Sequence, residues 1–173
     1  MSNWYMLTLV GRDRPGIVAD VTNSLFEGGC QLGEASMMRL GGNFTVMLMV
    51  QSDQEKAGLE NFLTEKLSAL DLRIHVDAID GHLHEHIIPD VCVSVYGADR
   101  PGIVAEVTHV LKRYDFHILD LESDVAGTEE KPIYVMHIDG KAQTDIGTLE
   151  KEMAKLRDDG IEVKVAPVDV MVG

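Results

Sequence analysis

Apolar and polar positions change period along the chain in an order that occurs twice. Trp4 to Val10 (WYMLTLV) is rich in apolar, β-compatible side chains, and VCVSVY, from Val91, is its β-branched counterpart; both predict strands. After the first, Ile17, Val18, Val21, Leu25 and Phe26 recur at helical spacing, and Gly28-Gly29 stops the helix. QLGEASMMRL and FTVMLMV then flank Gly41-Gly42-Asn43, a hairpin pattern. Ser52-Asp53-Gln54-Glu55 reads as a capping box that opens a second helix, whose Leu59, Phe62, Leu63, Leu67 and Leu70 make one apolar stripe before the strand IHVDAID. The second half repeats this order, with a helix around Ile146, Leu149, Met153 and Leu156 that ends at Gly160, and a last strand IEVKVA.

The order β-α-β-β-α-β, written twice, predicts an α+β protein of two ferredoxin-like units. Each is an antiparallel sheet with its helices on one face. The expected units are residues 1–81 and 90–173, joined by a polar linker at 82–89. A unit of about 80 residues buries too little apolar area to leave its other sheet face idle, so pairing or docking there is expected.

The repetition reaches individual residues. GRDRPGIVADVT from Gly11 returns as GADRPGIVAEVT from Gly97, changed only at Arg12/Ala98 and Asp20/Glu106. At the same offset Leu25 falls on Leu111, Leu32 on Ile118 and Gly41 on Gly127. The register then slips by three residues, so that FTVMLMV matches IYVMHID with Met47 on Met136.

Charge narrows the function. The formal net charge is −14 over 173 residues and no dense Lys/Arg run appears, which argues against direct nucleic-acid binding or attraction to an anionic membrane. No apolar run approaches the roughly 20 residues that span a bilayer. The N-terminal segment has no basic n-region and no small-residue cleavage site, so a cytoplasmic protein is expected. Cys30 and Cys92 occupy non-equivalent places in the two copies and suggest neither a disulfide nor a metal; a structural thiol is expected at Cys30. No nucleophile–base pattern is visible, and neither catalysis nor a cofactor is expected.

Candidate chemistry lies in the repeated phrase. Pro15 and Pro101 suit the first helical position, with Arg14 and Arg100 outside as caps. The N–H groups of Gly16, Ile17 and Val18 then lack acceptors and, with the helix dipole, favour a carboxylate or phosphate. Asp13 and Asp99 could hold an ammonium, and an α-amino acid carries both charges. An anion at a helix terminus gains only about 0.3–1 kcal/mol, or about 2 when partly buried, whereas millimolar affinity needs about 4. A second wall is therefore required.

DRPGIVA followed by a helix and a strand, within a β-α-β-β-α-β unit, resembles the ACT domain, a small regulatory module that senses amino acids. The resemblance implies ligands where the first turn of one unit meets the second strand of another. The turns would be Asp13, Arg14, Gly16 and Ile17, with Asp99, Arg100, Gly102 and Ile103; the opposing wall would be Gln31 and Leu32, with His117 and Ile118 in copy two. Many members carry a small polar residue, often Asn, where Gln31 and His117 stand. Two such units with little else imply a non-catalytic regulator, with glycine the favoured ligand. It would repress transcription indirectly through a protein partner such as a DNA-binding regulator, and a homodimer is compatible. The alternative is a regulatory subunit of an amino-acid metabolic enzyme.

Three clusters remain. His82, His84 and His86 have a spacing that can ligate zinc or nickel, but a polar linker is the simpler reading. Asp120, Glu122 and Asp124 alternate onto one strand face, read as solvated. Met37, Met38, Met47 and Met49 on the first hairpin are read as core packing.

Overall fold

The computed structural model describes residues 2–80 and 87–168. The chain divides into two compact units, Met1–His84 and Glu85–Gly173. The first runs β1 (Asn3–Arg12), α1 (Ile17–Glu27), β2 (Gln31–Leu40), β3 (Asn43–Ser52), α2 (Lys56–Lys66) and β4 (Arg73–Ile79), with a short 3-10 turn at Ser68–Leu70. The second runs β5 (Val91–Ala98), α3 (Ile103–Arg113), β6 (His117–Thr128), β7 (Lys131–Lys141), α4 (Ile146–Met153), a 3-10 segment Ala154–Asp159 and β8 (Ile161–Pro167). Their sheets are antiparallel, ordered β2-β3-β1-β4 and β6-β7-β5-β8. This is the α+β, doubled ferredoxin-like architecture.

Alternation along the strands sets each core. Tyr5, Leu7 and Leu9 of β1 and Phe44, Val46, Leu48 and Val50 of β3 turn toward the helices, where Ile17, Val21, Leu25, Leu59, Leu63 and Leu67 meet them. In the second unit Val91, Val93, Val95, Met136 and Ile138 meet Ile103, Val107, Leu111, Leu149 and Met153. Helix α1 ends as expected: Gly29 is left-handed at φ 70°, its N–H donates to Phe26 O, and Cys30 N–H donates to Leu25 O. That is a Schellman cap. In the second unit Asp115, at φ 50°, takes the glycine's place, and Phe116 N–H donates to Leu111 O. Gly41 and Gly42 both have positive φ, as a two-residue type I′ hairpin requires.

Four expectations are corrected. The capping box does not form, because Ser52 is buried at the end of β3 and its hydroxyl accepts from Gln54 N–H; Glu55, without a side-chain bond, caps α2. Val18 and Phe26 fit the helical period but face solvent, Phe26 being 81% exposed. The methionines are not core packing, since Met37, Met38 and Met47 are exposed and only Met49 is buried. The register between copies slips by four residues: Leu9 pairs with Val46 and its counterpart Val95 pairs with Met136, so Met136 matches Val46. Matching Met47 to Met136 is off by one residue, which puts an exposed side chain opposite a buried one.

Beside the hairpins a paired size change keeps both cores filled. Cys30 and Val50 in the first unit correspond to Phe116 and Gly140 in the second. A Cβ on Gly140 would lie 2.2 Å from the Phe116 ring and 2.3 Å from His117 O, so the glycine makes room for the phenyl. The open sheet faces have diverged. That of the first unit carries Trp4, Met6, Met47 and Met49, and that of the second carries Ser94, His137, Asp139, Asp120, Glu122 and Asp124. The three last-named are exposed.

Candidate functional site

The repeated phrase folds as a strand end, a tight turn and a helix start. Gly16 has φ 88° and ψ −9°, and Ile17 N–H donates to Arg14 O at 3.4 Å. These are the features of a type II turn with proline second and glycine third. Gly102 repeats the geometry at φ 97° and ψ −12°. Two expectations change here. The caps are Gly16 and Gly102, so Pro15 and Pro101 lie outside the helices, and the Ile17 N–H is already spent inside the turn. A left-handed cap is cheap for glycine alone, and this explains the residue at both positions. Neither cap supplies a side-chain bond to the first helical turn. Ile17 and Ile103 turn their side chains into the cores, so a ligand could meet only their backbones.

The charged groups beside the two turns are engaged differently. In the first, Asp13 is paired with Arg39 Nε of β2 at 2.5 Å, while Arg14 reaches Ala69 O at 3.4 Å, the long end of the hydrogen-bond range. In the second, the Arg100 guanidinium grips Glu106 with two parallel bonds of 2.8 and 2.7 Å. That contact holds the Glu106 carboxyl below its ordinary range. The position of Arg39 is taken by Val125, so Asp99 has no β6 cation beside it. Turn one thus presents a guanidinium, and turn two a carboxylate.

Within each unit the other half of the expected site is far away. Gln31 pairs with Gln51, which also faces Trp4 at the start of β1, whereas the turn follows Arg12 at its end. Eight residues of strand separate them, about 26 Å. His117 and Ile118 likewise pair with Lys141 and Gly140, level with Val91 and remote from Asp99. Each unit brings its four turn residues together and leaves Gln31 and Leu32, or His117 and Ile118, exposed at the opposite end of an edge strand.

Sequence reasoning missed a groove of about 910 Å³ in the second unit, between the ends of β5, β7 and β8. Tyr96, Lys131, Ile133, Arg157 and Glu162 line it with Asp99, the one expected site residue among them. Its residues come from three strands and a 3-10 segment, so no local spacing reveals it. Cys30 and Cys92 are partly buried free thiols, and desolvation pushes both thiol pKa values up, away from a reactive thiolate. Among the described residues no group of three or more His, Cys, Asp or Glu is placed to hold a metal, and no helix is long and apolar enough to cross a membrane. His82, His84 and His86 lie outside the described residues.

Comparison with known proteins places this arrangement. The glycine cleavage system transcriptional repressor of Escherichia coli is 26% identical over 159 residues, covering 89% of this chain and 84% of the repressor. An unknown protein from Galdieria sulphuraria superimposes with a TM-score of 0.76 at 20% identity, covering 97% of this chain and 99% of its own. A structure provisionally described as a glycine cleavage system transcriptional repressor superimposes with a TM-score of 0.71 at 17% identity, covering 97% and 98%. At those identities the two structures speak for the fold. The ACT domain model matches residues 5–77 and 90–166, one match per unit. With the doubled β-α-β-β-α-β topology and glycine-capped turns behind it, this chain belongs to the ACT domain family.

Proposed function

We propose that the protein is a non-catalytic regulator that responds to a small amino acid, with glycine favoured, and represses transcription through a protein partner. The observation that carries this reading is the first turn, where a bare glycine cap and an uncapped first helical turn face open space, with the Arg14 guanidinium held only by one long bond to Ala69 O. A ligand carboxylate suits that place by charge and by hydrogen bonding. Its ammonium would face the Gln31 and Leu32 end of the edge strand of a second copy, since the turn alone supplies too little free energy. The name borne by the Escherichia coli relative supports the link to glycine and to repression. A net charge of −14 supports an indirect effect, with a DNA-binding protein as the intermediary.

A thermal-shift screen of the intact protein against the twenty amino acids tests the ligand. The expected result is a raised Tm with glycine or another small amino acid, lost in Arg14→Ala. No shift with any of them overturns the reading. A pull-down separates the partner classes: a DNA-binding regulator is expected, and catalytic chains of a metabolic enzyme would favour the regulatory-subunit alternative. A DNA footprint by the isolated protein would overturn indirect repression.

A further inference from the structure

The two turns share ten of twelve residues, yet they differ in what sits above the glycine cap. An ideal Cβ built on Gly16 meets nothing within 4 Å. The same atom on Gly102 lies 3.4 Å from Glu106 Oε1 and 3.9 Å from Arg100 Nη1. The space over the second helix start therefore already holds a carboxylate, and its own arginine grips it with both nitrogens. We propose that Glu106 acts as a built-in carboxylate that closes the second turn, so that only the first turn accepts an amino acid. The inference rests on the functional reading above and names which of its two sites is open.

The selector is one methylene. Asp20 occupies the position of Glu106, but its side chain is shorter by about 1.5 Å and makes no ion pair with Arg14. Arg14 turns instead to the Ala69 carbonyl through a single long bond that an incoming carboxylate can replace. At the second turn a ligand must displace a carboxylate tethered four residues along the helix. Tethering gives Glu106 an effective concentration on the order of millimolar or more, which outcompetes a metabolite that binds this weakly. Both partners keep about a third of their side-chain surface in solvent, and the bidentate geometry gives the pair its definition.

Two reciprocal substitutions test the idea, each writing one copy's residue into the other. Glycine is titrated calorimetrically into the full chain, into Glu106→Asp, into Asp20→Glu and into the double swap. The expected stoichiometries are one glycine per chain, two, none at comparable affinity, and one, with Asp20→Glu weakening the first site about tenfold. Circular dichroism of each variant confirms that the helices are retained. Two sites in the native chain, or one site that persists in both single variants, would overturn the clasp and leave the amino-acid reading standing. No heat in any of the four would overturn that reading, and the clasp as a selector with it.

Discussion

Among the described residues, α4 is the one α-helix whose cap uses a side chain. Asp145 caps α4 with both oxygens: Oδ1 accepts the Thr148 N–H at 2.9 Å and Oδ2 accepts its hydroxyl at 2.6 Å. These bonds hold its carboxyl below the ordinary range. Because the folded-state value is depressed, the stability from this cap is complete above the unfolded carboxylate's pKa and is lost as pH falls through the folded value. Asp145→Ala should lower the urea midpoint at neutral pH, and the gap to the native chain should close on acidification. The sequence showed the glycines and arginines of the turns but not their engagement. Whether Arg14 or Arg100 finds a carboxylate depends on one methylene at position 20 or 106, and on Arg39 arriving from a strand outside the phrase.

At the scale of elements, period was a reliable guide to type and a weaker one to facing. The strands, helices and first hairpin were legible from alternation, helical spacing and turn glycines, and the second hairpin from the repeated order, its turn being Glu129-Glu130. Ser52 looked like a cap because its spacing to Glu55 is right, yet burial at the strand end took its hydroxyl elsewhere. Leu25 and Phe26 both fit the stripe of α1, but adjacent helical residues diverge by about 100°, and the sheet covers only the side of Leu25. Leu25→Ala should therefore cost about 2–5 kcal/mol, and Phe26→Ala should stay within about 0.5 kcal/mol. Equal losses in a thermal melt would contradict this assignment of faces. The slip of four residues was hidden because the second hairpin is two residues longer on each arm, and a chance Met–Met match hid the true pairing.

For the whole molecule, duplication explains more than any single motif. Each unit closes its own core, and each repeats the glycine-capped turn while its open sheet face follows its own course, methionine-rich in one and acidic in the other. The turn was readable from sequence because its glycine is forced by a left-handed backbone. The groove beside Asp99 was not, because distant strands assemble it. The central claim is that the first turn receives an amino acid, and backbone amide NMR of the isotopically labelled chain titrated with glycine tests it most directly. The account predicts saturable shifts concentrated at Gly16, Ile17 and Val18, accompanied by Gln31 and Leu32. Shifts confined to the groove around Tyr96, Ile133 and Glu162, or none at the first turn at saturating glycine, would contradict it.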